Sequence, residues 1–282
     1  MVLRKSNSIG VVGLGVSTEH NLPNFFDEML RGMLQGGSRF DRDITVIRPS
    51  QWGWEDSAPL FYPEDYAGLI VLGTSFGSTV MEGIDISGLP TVTIGGATEL
   101  PQFSSVDVDN YGSACAAVQH LIDLGHRRIG YISGEAVAGW GQERHRAYVA
   151  TMTAAGLDVD ENLIARVDVA GVDEGYDAAC RLLLGSPPTA IAAVNDDTAH
   201  GALVRLHEVG LGVPGVSLIG FDDNHSSATS KPPLSTIRQP KPAIGAKAVE
   251  LLVTHILNDK APIRHATIPG ELVVRGSTAA IG

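Results

Sequence analysis

Short apolar runs that are typical of buried strands alternate with helical segments along the whole chain of 282 residues. The predicted strands cover residues 8–14, 44–47, 69–72, 91–94, 128–132, 190–194, 216–221 and a segment near Leu272. The predicted helices cover residues 24–34, 111–124, 143–155, 173–184, 197–209 and 243–257. The alternation predicts an α/β fold in which parallel sheets carry helices on both faces. The number of strands favours two lobes over one sheet.

Two adjacent carboxylates follow the predicted strand at residues 216–221. The strand sequence VSLIGF ends directly before Asp222 and Asp223. Ligands of open α/β sheets bind outside the carboxyl ends of the strands, so these two acids lie where recognition or chemistry is expected.

Charge and hydrophobicity restrict the partners of this chain. The net charge is −12, and the densest basic cluster is the pair Arg127 and Arg128. Because DNA binding draws on cations that neutralise phosphates, we expect the chain alone to bind DNA poorly. No apolar stretch approaches the roughly 18 residues of a membrane span, and the N-terminal apolar run is too short for a secretory signal. We therefore expect a cytoplasmic protein with no membrane partner, in which Cys115 and Cys180 are buried, reduced thiols.

Four strings follow one another in the C-terminal part of the sequence. They are GFDD at residues 220–223, PPLSTIRQP at 232–240, IGAKAVELL at 244–252 and ELVVRGST at 271–278. Their order and spacing resemble the effector-binding core of the lactose-repressor (LacI/GalR) family of bacterial transcriptional regulators. The resemblance extends from about Ser8 to Thr278. It is weakest at residues 48–66, where prolines, a glycine and two tryptophans interrupt the helix that is usual in the family.

The resemblance implies a two-lobe, periplasmic-binding-protein-like (type I) fold, in which each lobe is a parallel sheet flanked by helices. It implies an N-terminal lobe of residues 1–106 plus 240–265 and a C-terminal lobe of residues 107–239 plus 266–282. The chain is expected to cross between the lobes three times, near residues 106–110, 238–240 and 265–268. A small effector would bind in the cleft between the lobes.

The resemblance also assigns residues to the effector site. Arg144, Asn195 and Asp222 match the family's ligand-binding arginine, its asparagine and its sugar-hydroxyl acceptor. Phe25 and Phe26 match its aromatic pair. A guanidinium, an amide and a carboxylate supply the donors and acceptors that a polyol needs. An aromatic ring gives the apolar face of a sugar a surface to lie on.

Each assignment has a structural alternative. Asn195 could serve only as a helix cap, and Arg144 could lie on the surface of an amphipathic helix. Phe25 and Phe26 are adjacent on a helix and point about 100° apart, so one of them is expected in the core. Trp140 could stack on a ligand or pack within its loop.

Three further residues lie at positions that the resemblance highlights. Asp107 and Asp109 match a family segment close to the cleft, with hinge hydrogen bonding as the alternative role for at least one of them. His126 occupies a helix-to-strand turn and is expected to be structural.

No cofactor and no metal are predicted. The sequence has no P-loop, no G-x-S-x-G and no H-E-x-x-H, and its histidines show no ligand spacing with the two cysteines. Two alternatives to a regulator are a sugar-binding protein of a transporter, which shares the fold, and a two-lobe sugar-modifying enzyme.

The resemblance implies a ligand-sensing, dimerising core of a transcriptional regulator, most simply a repressor, with no enzymatic activity. The expected partners are a small effector, a second copy of the chain, and operator DNA. The effector is expected to be a sugar or related polyol, with a nucleoside or purine as the alternative. Operator DNA would bind only through a helix-turn-helix domain that this chain lacks, and we expect that domain to have been left off a longer protein.

Overall fold

The computed structural model describes residues 6–13, 23–47, 61–72, 78–95, 101–134, 139–212, 215–258 and 261–281. Its chain divides into two compact units. The first unit comprises Met1–Val108 with Pro240–Ile268, and the second comprises Asp109–Gln239 with Pro269–Gly282. The chain therefore passes from one unit to the other three times.

The strands and helices are numbered along the chain. The strands are β1 (Ser8–Gly13), β2 (Asp43–Ile47), β3 (Gly68–Leu72), β4 (Thr91–Ile94), β5 (Ser104–Val108), β6 (Ile129–Ser133), β7 (Ile164–Arg166), β8 (Ala190–Ala193), β9 (Ser217–Ile219), β10 (Thr236–Arg238), β11 (His265–Ile268) and β12 (Glu271–Val273). The helices are α1 (Pro23–Arg39), α2 (Ser78–Ser87), α3 (Asn110–Asp123), α4 (Gly139–Ala154), α5 (Val172–Leu182), α6 (Asp196–Glu208), α7 (His225–Thr229) and α8 (Lys241–Leu257).

The first unit is built on a six-stranded sheet in the order β11-β5-β4-β3-β1-β2, and every pairing is parallel. All residues of the apolar strand β3 are buried, and so are those of β4, whose sequence TVTI includes two threonines, as expected for strands that are covered on both faces. Helices α1 and α8 approach closely at Gly245, where a Cβ atom would meet the carbonyl oxygen of Met29.

The second unit contains a four-stranded parallel sheet in the order β7-β6-β8-β9 and an antiparallel ribbon of β10 and β12. Helices α5 and α6 also approach closely at Gly201, where a Cβ atom would meet the backbone of Val172. Together, the two sheets confirm the predicted α/β class with parallel sheets.

His126 connects the second unit's sheet to the C-terminal segment. Its Nε2 lies 3.0 Å from the carbonyl oxygen of Ala279 and 3.1 Å from the hydroxyl of Ser217, and its Nδ1 lies 3.0 Å from the hydroxyl of Thr189. Burial lowers the pKa of this imidazole, although the hydrogen bond to Ala279 acts in the opposite direction. The predicted structural role of His126 is confirmed.

Several elements differ from the sequence predictions. The predicted strand at 216–221 is shorter, since β9 ends at Ile219. Strands β5, β7, β10 and β11 and helices α2 and α7 were not predicted as such. Of the segment 48–66, residues 48–60 lie outside the described residues, and Phe61 is buried.

Cys115 and Cys180 are free, but they are half-buried rather than buried. Within the described ranges, no helix combines the length and the apolar character that crossing a bilayer would need.

Candidate functional site

Arg144 lies in the interior of the second unit and is only 5% exposed. Helix α4 carries it, and two acceptors from other elements fix its guanidinium group. Its Nε donates to Oδ1 of Asn110 at 2.9 Å, and its Nη1 donates to the carbonyl oxygen of Val194 at 2.7 Å. Since Val194 directly follows β8, the arginine head lies at the carboxyl edge of the sheet. The structure therefore contradicts the alternative of a surface arginine.

Two aromatic rings lie against this guanidinium group. The Cζ atom of Arg144 is 3.5 Å from the ring centroid of Phe221 and 4.8 Å from that of Trp140. Both distances fall within the range of cation–π interactions. Trp140 is thus brought to the site by its contact with Arg144, and its predicted role in ligand stacking stays a prediction.

Asp222 faces the same guanidinium group. Its Oδ1 lies 3.8 Å from Nη1 of Arg144 and accepts a hydrogen bond of 2.6 Å from Nε2 of Gln239. The side chain of Asp222 is 15% exposed, so solvent reaches part of the carboxylate. Its backbone N–H donates to the carbonyl oxygen of Ile237. The carboxylate therefore combines a fixed position with access from outside.

Asn195 serves as the N-cap of α6. Its Oδ1 accepts from the backbone N–H of Thr198 at 2.9 Å, and the Thr198 hydroxyl completes a capping box. Its Nδ2 donates to the carbonyl oxygen of Ala170 at 2.9 Å. The capping alternative is therefore what the structure shows, and an additional contact with a ligand stays a prediction.

Asp196, the next residue, is a buried carboxylate that the sequence analysis did not single out as a site residue. It is fully buried and accepts hydrogen bonds from the backbone N–H of Asn224 and from the hydroxyls of Ser227 and Thr236. Its own backbone N–H donates to the carbonyl oxygen of Phe221. Asp196 thereby joins the start of α6 to the segment that contains Asp222.

Asp223 is enclosed by two arginines. Its Oδ1 accepts from Nη2 of Arg275 at 2.6 Å, and its Oδ2 accepts from Nε of Arg238 at 2.7 Å. The hydrogen bond between Arg238 and Asp223, together with the negative charge of Asp223, raises the pKa of Arg238. With both oxygens engaged, Asp223 has a different environment from the partly exposed Asp222.

The remaining predicted site residues belong to the first unit. At the end of β1, the ring of Phe26 lies 3.1 Å from the position that a Cβ atom at Gly13 would take. The Nζ of Lys241 lies 5.3 Å from the ring centroid of Phe25. Both rings are half-buried, so neither is the fully buried core residue that the sequence suggested. Asp107 is half-buried, and its Oδ1 accepts from the backbone N–H of Val108.

Asp109 is the N-cap of α3, since its side chain accepts from the backbone N–H of Gly112 at 2.8 Å. This contact supports the structural alternative for Asp109. Among the residues that the structure describes, no group of three His, Cys, Asp or Glu side chains could hold a metal ion.

Three residues that shape the Arg144–Asp222 pair were not predicted from the sequence. Phe221 and Gln239 belong to the strings GFDD and PPLSTIRQP, so the motifs contained the signal, although neither was named. Asn110 carries no such signal. Its contact with Arg144 joins positions 34 residues apart and appears only in the fold.

Comparisons with known proteins agree with this architecture. A family model described as a periplasmic binding protein-like domain matches residues 118–278. The HTH-type transcriptional repressor CytR of Escherichia coli is 31% identical over 265 residues, which cover 91% of this chain and 76% of that protein. The HTH-type transcriptional regulator MalR of Streptomyces coelicolor is 35% identical over 202 residues, which cover 70% of this chain and 58% of that protein.

Solved structures show the same likeness. The transcriptional regulator CelR in complex with cellobiose has a TM-score of 0.85 and 26% identity, and the match covers 97% of this chain and 85% of that one. A LacI family transcriptional regulator from Mycobacterium smegmatis has a TM-score of 0.81 and 27% identity, and the match covers 96% of this chain and 99% of that one.

The chain spans 57% to 63% of the length of three of the curated relatives, MalR, reg1 of Streptomyces lividans and PurR of Actinobacillus pleuropneumoniae. Sequence and structural likeness both lead to the same group of proteins. The chain belongs to the LacI family of transcriptional regulators and contains that family's effector-binding domain of periplasmic-binding-protein-like fold.

Proposed function

We propose that this chain is the ligand-sensing and dimerising core of a LacI-type repressor, and that its effector is a sugar or a related polyol. The observation that carries the proposal is the pair of Arg144 and Asp222, whose charged groups lie 3.8 Å apart at the carboxyl edge of the second unit's sheet. This edge is where α/β sheets bind their ligands.

The chemistry of the pair suits a hydroxylated ligand. Asp222 accepts hydrogen bonds from hydroxyls, and the guanidinium of Arg144 donates to ring or hydroxyl oxygens. The neighbouring rings of Phe221 and Trp140 add apolar surface of the kind that a sugar face contacts. A relative of this chain, CelR, has been solved as a complex with cellobiose, which supports a sugar as the effector class.

The proposed mechanism is a shift between conformations of the core. An effector that binds one conformation more tightly than another changes their populations by its difference in affinity. In a longer protein that carries a DNA-binding domain, this shift would change operator affinity, and the two quantities would be linked reciprocally. A homodimer is part of the proposal, because paired DNA-binding domains read two half-sites by two-fold symmetry.

A thermal-shift screen tests the effector. The panel comprises mono- and disaccharides including cellobiose and ribose, together with nucleosides and purines. A ligand that binds only the folded state raises the melting temperature by mass action, with a shift that grows as its concentration rises above Kd. We expect a saturable shift with at least one sugar. Shifts confined to nucleosides or purines would contradict the sugar assignment, and no shift at all would contradict an effector of these classes.

Light scattering tests the assembly. The proposal predicts a particle of twice the chain mass of 29.6 kDa at micromolar concentration. A monomer under those conditions would contradict the dimeric mechanism and would leave the effector site unaffected.

A further inference from the structure

The backbone at Asp222 and Asp223 has an unusual conformation. Their φ angles are 130° and 53°, which lie in the region that residues with a Cβ atom rarely adopt. Such backbone persists only where surrounding contacts hold it in place. Two such residues in succession, one of them in the proposed effector site, require an identifiable restraint.

The side chain of Asp223 has the contacts that such a restraint needs. It is 8% exposed, and its two carboxylate oxygens accept charge-assisted hydrogen bonds from Arg275 and Arg238 at 2.6 and 2.7 Å. Bonds of this kind are shorter and stronger than those between neutral groups. Arg238 ends β10 and Arg275 follows β12, so two different segments of the chain hold the carboxylate.

Each arginine is itself anchored. Nη1 of Arg275 donates to the carbonyl oxygen of Leu234 at 2.8 Å, and its backbone N–H donates to the hydroxyl of Ser235. Arg238 is anchored by its backbone, because it is the last residue of β10 and pairs with Glu271 of β12 in the antiparallel ribbon. Its side-chain contact with Glu271, at 3.2 Å, joins groups that are 48% and 70% exposed, and such surface ion pairs contribute little. Asp223 is therefore tied to the β10–β12 ribbon and not merely to mobile side chains.

We infer that Asp223 is a positioning residue, which holds the 220–224 segment so that the Asp222 carboxylate faces Arg144 and Gln239. It would set effector affinity without touching the effector. The inference rests on the proposed function for its effect on affinity, but the restraint on the segment can be measured without any ligand.

Two substitutions weaken the restraint to different degrees, and a third is their control. Asp223→Asn removes the charge but keeps the shape, and asparagine tolerates positive φ well. Arg238→Gln removes one of the two arginines from Asp223 and changes a side chain that is 48% exposed. Glu271→Gln is the matched control, since it alters the same network at an exposed position that does not contact Asp223.

Amide hydrogen exchange measured by mass spectrometry reports on the segment. The N–H groups of Gly220, Asp222 and Asn224 donate to Ser235, Ile237 and Asp196, so their exchange follows local opening. We expect exchange of residues 220–224 to rise about tenfold in Asp223→Asn, which corresponds to a tenfold change in the opening equilibrium. The rise should be smaller in Arg238→Gln and absent in Glu271→Gln, while β6 and β8 keep their protection in all three.

The outcomes separate this inference from the proposed function. Unchanged exchange at 220–224 in both Asp223→Asn and Arg238→Gln would overturn the inference, and so would an equal loss of protection across the whole second unit. Cellobiose and ribose titrations provide the affinity test: a sugar that binds the parent protein should bind Asp223→Asn about tenfold more weakly and Glu271→Gln equally well. If neither sugar binds the parent protein, the sugar proposal loses support, and hydrogen exchange still decides the role of Asp223.

Discussion

The guanidinium carbon of Arg144 lies 3.5 Å from the centre of the Phe221 ring, and Phe221 directly precedes Asp222. The arginine is therefore held by the same strand end that presents the carboxylate. We therefore expect a displacement of either residue to disturb the other through the Phe221 ring.

Arg144→Lys should weaken effector binding and also destabilise the fold. Lysine lacks the planar fork that satisfies Asn110 and Val194 together, so a buried acceptor would lose its donor. The expected loss is about 1–3 kcal/mol in the free energy of unfolding. Urea denaturation measures it. Arg146→Lys, on the exposed side of the same helix, is the control and should change stability by less than about 0.5 kcal/mol. Equal stability of both variants would contradict the buried role of Arg144.

Asp222→Gly should melt at a higher temperature than Asp222→Ala. Both variants lose the carboxylate and should lose effector binding, but only glycine adopts a φ of 130° without strain. The difference should be about 1 kcal/mol in favour of glycine. The control pair is Asp177→Ala and Asp177→Gly, at an exposed position within α5. In a helix, the alanine variant is expected to be about 1 kcal/mol more stable than the glycine variant. The same order at both positions would show that the backbone at Asp222 is not strained.

The stability of the fold should decrease in mild acid. Burial lowers the pKa of His126, and it also lowers the pKa values of His120 and His255. The unfolded chain therefore takes up protons below its usual histidine pKa of about 6.5, whereas the native state takes them up only at lower pH. Stability that is complete above pH 6.5 is lost progressively as the pH falls below that value.

Melting curves between pH 7.5 and 5.0 check this expectation. Substitution His126→Gln should reduce this pH dependence. A melting temperature that rises towards pH 5 would contradict the assignment of the neutral imidazole to the native state.

Parts of the fold follow from the sequence, and other parts depend on contacts that local patterns do not encode. Continuous apolar runs such as β3 predict buried parallel strands directly. Strand β5 has the sequence SSVDV, and its polar residues conceal a strand that pairs with β4 and β11. The family resemblance assigned Asp222 and Arg144 to one effector site. Gln239 and the two arginines around Asp223 belong to the quoted strings, but the sequence does not show which side chains they contact. The contact of Asn110 with Arg144 is visible only in the fold.

The packing of α5 on α6 provides a test of the second unit that is independent of any ligand. A Cβ atom at Gly201 would meet the carbonyl oxygen of Val172, so Gly201→Ala requires the helices to separate. We expect a cost of about 1–3 kcal/mol in the free energy of unfolding. At Gly212, where a Cβ atom would meet nothing within 4 Å, the same substitution should be nearly neutral. Equal effects at the two positions would contradict the close helix contact.

Calorimetric titration of a double-mutant cycle tests most directly whether Arg144 and Asp222 bind the effector together. The proteins are the parent chain, Asp222→Asn, Arg144→Lys and the double variant, titrated with the sugar that gives the largest thermal shift. We predict that each single substitution weakens binding by about tenfold or more, and that the double substitution weakens it by clearly less than the product of the two. Parent-like affinity in both single variants would contradict the assignment of the effector site to this pair.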